Sequence, residues 1–148
     1  MPLRLGIDYH LRSARPDDLS TIETLLLHSG LPTAGVAEHL SSFIVADANG
    51  LTGVIGLEPS VQNTLLRSLA VPSERRKKGL GNALFKQAIS QARQAGATTA
   101  YLLTNTVESF VSRWGFTPIN RGDIPSDLLT ASALATACPA NSACLQKN

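Results

Sequence analysis

A run of basic residues stands directly before two glycines and the start of an amphipathic segment. Residues 75–78 read Arg-Arg-Lys-Lys, and Gly79 and Gly81 follow on either side of Leu80. Where such a loop leads into the first turn of a helix, several backbone N–H groups converge at the positive end of the helix dipole. Glycines let an anion approach that backbone, and the flanking cations add mobile positive charge. The pattern therefore predicts a phosphate-binding site.

Two common phosphate-binding loops do not fit this spacing. The P-loop requires a lysine directly after its last glycine, whereas Asn82 follows Gly81 in this chain. The dinucleotide-binding fingerprint requires a third glycine where Leu84 stands. We therefore expect a pyrophosphate-binding loop of another kind.

One cation lies within an otherwise apolar predicted strand. Arg67 interrupts the segment from Leu65 to Val71, where strand alternation would place it on the same face as Leu65 and Leu69. Burying a guanidinium is unfavourable unless it is paired. Two partners are considered: an oxyanion of a substrate, which the guanidinium could bind through two hydrogen bonds, or an internal acid such as Glu58.

The composition limits the class of protein to which these residues belong. The chain has 148 residues, of which 43% are hydrophobic and 16% charged, and we expect a single domain over 1–148. A formal net charge of +2 is too small for a nucleic-acid-binding face. Because no apolar run could span a bilayer and no signal peptide or disulfide framework is evident, we expect a cytoplasmic protein without a membrane partner.

The order of predicted elements is that of a mixed α/β protein. Strands are expected at residues 9–13, 43–47, 52–58, 65–71, 99–104 and 116–119, and Asn49-Gly50 predicts a hairpin turn. Helices are expected after Pro16 with Asp17 as N-cap, from Gly81 to about residue 95, and over about 106–114. This order predicts a mixed central sheet flanked by helices.

Two segments at the expected distance from each other resemble the GNAT acyltransferases. Residues 76–81, which follow soon after Leu69, Ala70 and Val71, resemble the family's acetyl-coenzyme A pyrophosphate loop, Gln/Arg-x-x-Gly-x-Gly/Ala. Residues 110–116, Phe-Val-Ser-Arg-Trp-Gly-Phe, resemble the segment that ends the family's fourth helix. The resemblance covers roughly residues 9–120. It implies the GNAT fold, N-acetyltransferase activity and acetyl-coenzyme A as co-substrate.

A narrower resemblance concerns the acceptor. Residues 30–32, 66–71, 101–104, 121–125 and 138–144 are similar to segments of GNAT enzymes encoded with arsenic resistance genes. Residues 103–104 and 115–125 are similar to the acetyltransferase domain of N-acetylglutamate synthases. Both groups act on the α-amine of glutamate or a glutamate-like molecule. The resemblance thus implies a small amino acid-like acceptor, of the glutamate, phosphinothricin or arsinothricin type.

The resemblance also implies roles for individual residues. The backbone N–H of Leu69 would point at the thioester oxygen, and that of Val71 would pair with the pantetheine amides. The other residues of the implied cofactor site are Ala70, Arg76, Lys77, Lys78, Gly79, Leu80, Gly81, Asn82, Thr104, Asn105 and Phe110. The acceptor site predicted from strand alternation and the covering loop consists of Arg67, His39 and Thr33.

The chain departs from the family at the positions that handle protons. Val111 stands where a tyrosine general acid is usual, and Leu65 stands where a glutamate base is common. Glu58, acting through water, is the predicted base, while solvent, Thr104 or Tyr101 would protonate the departing thiolate. The predicted catalytic groups are Glu58, Arg67 and the backbone of Leu69.

Several alternatives stay open. The chain could acetylate another amine, such as an antibiotic, a polyamine or a protein N-terminus, or it could bind acyl-coenzyme A as a sensor without turnover. His39 could be an ordinary surface histidine. Cys138 and Cys144 could bind a soft metalloid, but their spacing without a nearby histidine favours two cysteines packed in a C-terminal strand. No resident metal is expected, and the oligomer considered is a homodimer.

Overall fold

The computed structural model describes residues 9–72, 79–104, 114–131 and 143–148, and within them seven strands form one sheet. The strands are β1 His10–Ser13, β2 Phe43–Asp47, β3 Leu51–Ser60, β4 Asn63–Ala70, β5 Thr99–Thr104, β6 Thr117–Ile119 and β7 Ala143–Lys147. The helices are α1 Leu19–His28, α2 Leu80–Gln94 and α3 Ser126–Ala131, with 3-10 turns at Pro16–Asp18, Leu40–Ser42 and Arg121–Asp123. The predicted mixed α/β class is thereby confirmed.

Local signals in the sequence account for the bounds of several elements. β2 and β5 have the predicted bounds, and α2 begins one residue before the predicted Gly81. In the turn between β2 and β3, Asn49 and Gly50 have φ values of 58° and 127°, a conformation that Asn-Gly adopts readily. The helix predicted over about 106–114 lies, except for its last residue, outside the described residues.

The strand order is β1-β2-β3-β4-β5-β7-β6. β4 and β5 are parallel, and the other neighbouring strands are antiparallel. β7 lies between β5 and β6, so the C-terminal strand expected from the packing of two cysteines belongs to the central sheet. None of the helices within the described ranges is long and apolar enough to cross a bilayer.

Different helices cover the two faces of the sheet. On one face α2 packs its apolar side against strands β2 to β5, with a core that includes Leu80, Leu84, Ala88, Ile55 and Leu66. On the other face α1 packs against β2 and β3, with Ile22, Leu26, Phe43, Val45 and Val54. A third cluster, beneath α3, consists of Leu65, Tyr101, Leu103, Ile124, Leu128 and Cys144. Each fully buried Leu or Ile contributes about 1.5–3 kcal/mol, so these contacts fix the central strands in place.

A bulge interrupts the pairing of β3 with β4. Gly56 pairs with Arg67, whereas Val54 pairs with Ala70, so β4 has one residue more than β3 between the two pairs. Ser68, inside the bulge, has a φ of 60°. Such an insertion shifts the alternation of side chains along the bulged strand.

The bulge changes which residues share a face with Arg67. Arg67 lies beside Phe43 on the face that α1 covers, whereas Leu69 packs against the core beneath α2. The prediction that Arg67 and Leu69 share a face is therefore wrong. Strand alternation assumes a regular strand, and the extra residue at the bulge reverses it.

Arg12 joins β1 to the start of α1 and to β2. Its guanidinium donates hydrogen bonds of 2.8 and 3.1 Å to the two carboxylate oxygens of Asp18 and one of 3.1 Å to Asp47. The same Asp18 accepts a hydrogen bond of 2.7 Å from the backbone N–H of Arg15. Asp18 thus takes the capping role predicted for Asp17, which is exposed.

We expect the Arg12 network to make the protein less stable in acid. The hydrogen bond from Arg12 lowers the pKa of Asp18, and those from the Gly50 N–H and then Arg12 lower the pKa of Asp47. Such carboxyls stabilise the fold fully above their unfolded pKa of 3.8 and progressively less as the pH falls through the folded value. Arg12→Gln should therefore lower the free energy of unfolding by about 1–3 kcal/mol at neutral pH.

The difference between Arg12→Gln and the unaltered protein should shrink as the pH falls below about 4, and be lost once the pH is below the lowered pKa values of Asp18 and Asp47, where the carboxyls are protonated in both. Urea unfolding at neutral, mildly acidic and strongly acidic pH measures this difference in the free energy of unfolding. A difference that stays constant across this range would show that the network stabilises through packing alone.

The hairpin between β3 and β4 has a strained residue at its tip. Val61 and Gln62 form the loop between the paired residues Ser60 and Asn63, and Val61 is 87% exposed with a φ of 46°. A β-branched residue is strained in this region, so Val61→Gly should raise the free energy of unfolding by about 1 kcal/mol. Gln62→Gly is the matched control and should lower it by about 0.5–1 kcal/mol, because Gln62 has no positive φ to relieve. Equal changes in Tm for Val61→Gly and Gln62→Gly would contradict the prediction.

Candidate active site

The parallel strands β4 and β5 separate partway along their length. Their pairing covers residues 63–66 of β4 and 99–102 of β5, whereas the strands themselves continue to Ala70 and Thr104. Two parallel strands that separate leave a gap lined by main chain, where a ligand with amide groups can pair as another strand would. Leu69 and Val71, predicted to contact the thioester and the pantetheine through their backbones, lie at and directly after this end of β4.

The first turn of α2 has the properties of an anion site. Gly79 is the N-cap with a φ of 78°, and the first helical hydrogen bond runs from the Ala83 N–H to the Gly79 carbonyl at 3.0 Å. The N–H groups of residues 80–82 therefore precede the helical ladder. Among the described residues no side chain caps this end, no acidic residue lies in the first turn, and no atom lies within 4 Å of where a Cβ at Gly79 or Gly81 would stand. Arg76, Lys77 and Lys78 of the predicted site lie outside the described residues.

Asn82, at the same end of α2, is held by an aromatic cluster. Its side-chain oxygen accepts a hydrogen bond of 3.0 Å from Trp114 Nε1. The Trp114 ring stacks on Phe85 with centroids 4.1 Å apart, and Phe116 lies 5.9 Å from Phe85. Because an indole N–H only donates, it fixes which side of the Asn82 amide faces Trp114. The amide NH₂ is then the group of Asn82 that can bind an anion.

A buried ion pair lies on the opposite face of the sheet. Arg67 Nη1 donates to Glu58 Oε2 at 2.7 Å, and the two side chains are 0% and 3% exposed. The pairing follows from the register, because Arg67 lies opposite Gly56 and Glu58 is two residues further along β3, on the same face. Glu58, the internal partner considered for Arg67, is therefore paired with it. Binding of a substrate oxyanion by Arg67 stays a prediction.

Arg67 also holds the loop between α1 and β2. Its guanidinium donates to the carbonyls of Pro32, at 3.2 Å, and Ala34, while Nε donates to Ser68 Oγ at 2.7 Å. With the bond to Glu58, four of the five N–H groups of Arg67 have internal acceptors. Arg67 thereby fixes a loop that contains Thr33, another predicted acceptor-site residue.

His39 completes a cluster of three side chains. Its Nε2 atom lies 3.7 Å from Glu58 Oε1, and its side chain is 29% exposed. The backbone N–H of His39 bonds to the carbonyls of Gly35 and Val36 at 3.2 Å, which shapes the end of the loop. The structure thus brings together His39, Glu58 and Arg67, which the sequence named separately.

The cluster and the anion site approach the sheet from opposite sides. Glu58 and Arg67 lie on the face covered by α1, whereas α2 covers the other face. The gap between β4 and β5 begins next to Arg67, directly after the last pair at Leu66. A ligand anchored at the α2 N-terminus could therefore reach through the gap towards the cluster.

Two further groups named from the sequence lie beneath α3. Burial raises the pKa of Tyr101, with a smaller contribution from Asp123, so its phenol keeps its proton at neutral pH. Burial likewise raises the pKa of the Cys144 thiol, which keeps it from the thiolate form that binds soft ions. Among the described residues no group of three His, Cys, Asp or Glu side chains could hold a metal ion. The Thr104 side chain and residues Asn105, Phe110, Val111 and Cys138 lie outside what the structure describes.

Sequence reasoning named the backbone of Leu69 and Val71 but missed the main-chain carbonyls that hold Arg67. The carbonyls of Pro32 and Ala34 carry no side-chain signal, and only the local Pro and Gly content marks their loop. Gly56 was also missed: a Cβ there would overlap the Phe43 ring, whose centroid lies 5.6 Å from Arg67 Cζ. The absence of a side chain at Gly56 therefore makes room for an aromatic ring beside the guanidinium.

Comparisons with known proteins agree on one family. The model of the acetyltransferase (GNAT) domain matches residues 39–118. An uncharacterized N-acetyltransferase of Chlorobaculum tepidum is 30% identical over 150 residues, which cover 93% of this chain and 92% of that protein.

Solved structures share the fold at lower identity. N-acetylglutamate synthase of Neisseria gonorrhoeae, in complex with coenzyme A and N-acetyl-glutamate, superposes with a TM-score of 0.82 at 20% identity over 96% of this chain. The chain spans 35% of the length of that synthase. A Mycobacterium tuberculosis protein in complex with coenzyme A superposes with a TM-score of 0.73 at 19% identity, over 93% of this chain and 98% of that one.

Proposed function

Because the chain belongs to the GNAT acetyltransferase family, we propose that it transfers the acetyl group of acetyl-coenzyme A to the α-amine of a small, glutamate-like amino acid. The enzyme class is N-acetyltransferase, and acetyl-coenzyme A is the co-substrate. The observation that carries the finer proposal is the cluster of partly exposed His39 with buried Glu58 and Arg67 beside the gap between β4 and β5. A single domain over 1–148, a cytoplasmic location and a homodimer are proposed on the sequence argument alone.

In this proposal the cofactor enters from the face that α2 covers. Its pyrophosphate binds the N–H groups at the start of α2, with Asn82 and the cations of residues 76–78 around it. The pantetheine then lies in the gap and pairs with the backbone near Val71 as an added strand would. The thioester carbonyl meets the N–H of Leu69, which stabilises the oxyanion of the tetrahedral intermediate.

The acceptor approaches from the face with the ion pair. Its amine must lose a proton before it attacks the thioester carbon, after which the C–S bond breaks and the thiolate leaves. The buried carboxylate of Glu58 attracts the ammonium of the acceptor. Thr33 and the remaining Nη2 hydrogen of Arg67 are the groups proposed to bind its carboxylate, with His39 beside its amine and the α1–β2 loop as the wall of the site.

The glutamate-like acceptor is supported by two independent likenesses. The fold is similar to that of a synthase solved with N-acetyl-glutamate, and several segments resemble enzymes encoded with arsenic resistance genes. Phosphinothricin and arsinothricin are therefore proposed beside glutamate as acceptors. A polyamine is a weaker candidate, because an arginine in the acceptor site would repel it.

Thiol release from acetyl-coenzyme A tests the proposal. The purified protein is assayed with glutamate, phosphinothricin, arsinothricin, a polyamine and a lysine peptide. We expect turnover with the three glutamate-like acceptors only. Faster turnover of the polyamine or the peptide would show that the enzyme acts on another class of acceptor. Binding of acetyl-coenzyme A without turnover of any amine would favour the sensor, which the absence of the usual tyrosine and glutamate keeps under consideration.

A further inference from the structure

We infer that the His39 imidazole is the base that takes the proton from the acceptor amine, and that Glu58 and Arg67 are positioning residues for it. The inference rests on the proposed acetyl transfer and assigns it a base. It changes the role of Glu58 from a base acting through water to the partner of a histidine.

The geometry divides the Glu58 carboxylate between two nitrogen partners. One oxygen is fixed by Arg67 at 2.7 Å, and the other faces His39 Nε2 at 3.7 Å. Because Arg67 is itself held by the carbonyls of Pro32 and Ala34, the carboxylate has little freedom to turn away. The distance of 3.7 Å can shorten to a hydrogen bond once His39 gains a proton, since catalytic hydrogen bonds are often long before substrate binds.

The exposure of the two side chains favours His39 over Glu58 as the base. The Glu58 side chain is 3% exposed and is covered by Arg67 and His39, whereas the His39 side chain is 29% exposed. The imidazole is therefore the more accessible of the two groups to an amine. Histidine is also the side chain whose ordinary titration range suits a base at neutral pH.

The charged side chain that faces the imidazole is a carboxylate. Glu58 faces it from β3, and Arg67 on β4 is directed at the other oxygen of Glu58. Glu38 precedes it in the same loop and is exposed. The carboxylate of Glu58 is thus the nearest charge, and it attracts the imidazolium that forms.

The proton balance is complete without a further group. Neutral His39 accepts one proton from the acceptor ammonium and passes it to bulk water through its exposed side. The amine lone pair forms the C–N bond, the C–S bond breaks, and its electron pair leaves with the sulfur. His39 takes the second proton from the nitrogen and returns it to the thiolate. One proton is released for each amide formed.

Imidazole rescue of His39→Ala is the decisive experiment. With acetyl-coenzyme A and the best acceptor of the panel, His39→Ala should lower kcat by about 10²- to 10⁴-fold while leaving the KM of acetyl-coenzyme A unchanged. Added imidazole should raise the kcat of His39→Ala by at least about tenfold. Without added imidazole, the rise of kcat/KM between about pH 5 and 8 should be absent in this variant. His28→Ala removes an exposed histidine of α1 and is the matched control, with unchanged kinetics.

Three results would overturn the assignment. Wild-type rates in His39→Ala would return the role of base to Glu58 through water. A loss of activity that imidazole does not restore would make His39 structural, provided that His28→Ala remains active. If the wild type acetylates no amine, the proposed acceptor class fails, and the same comparison is made on the slow hydrolysis of acetyl-coenzyme A. Equal hydrolysis by wild type and His39→Ala would then exclude His39 as a base.

Discussion

Replacing Gly81 with valine should raise the KM for acetyl-coenzyme A by about 100-fold or more without lowering the free energy of unfolding. Gly81 lies in the first turn of α2, among the N–H groups proposed to bind the pyrophosphate. A branched side chain there would hold the phosphate away from these groups, and the loss of two charge-assisted hydrogen bonds accounts for a change of this size. Among the described residues no atom lies within 4 Å of where a Cβ at Gly81 would stand, so valine meets no clash with them.

Stability separates this substitution from one that damages the fold. Gly81 has no positive φ, and glycine within a helix is less favourable than valine by a few tenths of a kcal/mol. Thermal unfolding should therefore show an unchanged or slightly raised Tm. Gly79 would be a poor choice, because its φ of 78° would strain any other residue.

A size series provides the control for Gly81→Val. Gly81→Ala adds one methyl group, and the family pattern accepts alanine at this position, so its effect on the KM should be several-fold at most. The KM of the acceptor should change little in either variant, since we propose that the acceptor approaches from the other face. Equal KM values for acetyl-coenzyme A in all three proteins would show that the pyrophosphate binds elsewhere.

The sequence predicted the features that depend on local pattern. The strand at 43–47, the strand at 99–104 and the helix after Gly79 follow from apolar periodicity and from glycine. The helix start and the two glycines of the proposed pyrophosphate site could be predicted because they are contiguous in the chain. The fold class follows from the order of the elements, whereas acetyl-coenzyme A was implied by the resemblance to the GNAT acyltransferases.

The acceptor side could be predicted only in part, because it depends on contacts between distant segments. Pairing of Arg67 with Glu58 was one of two alternatives, and only the register of β3 against β4 decides that they meet. The bulge at Ser68 moved Leu69 to the other face, and serine at a positive φ has no sequence signature. The carbonyls of Pro32 and Ala34 became ligands of Arg67 because the chain folds back over it.

Arg67→Met should lower the free energy of unfolding by about 3–5 kcal/mol, equivalent to a fall in Tm of about 10 °C. The substitution leaves the Glu58 carboxylate buried, with His39 as its remaining partner among the described side chains, and removes the donors that satisfy the carbonyls of Pro32 and Ala34. Arg93→Met, on the exposed side of α2, is the matched control and should stay within about 0.5 kcal/mol of wild type.

A second variant tests whether the uncompensated carboxylate causes this loss. Glu58→Gln combined with Arg67→Met replaces both charges, so the double variant should be more stable than Arg67→Met alone. Urea unfolding of the four proteins of this cycle gives the coupling energy. A loss below about 1 kcal/mol for Arg67→Met, together with a large rise in the acceptor KM, would mean that Arg67 binds substrate rather than holds the fold. Because the guanidinium is buried with four internal acceptors, we expect the stability loss to dominate, with the acceptor KM rising as the α1–β2 loop is released.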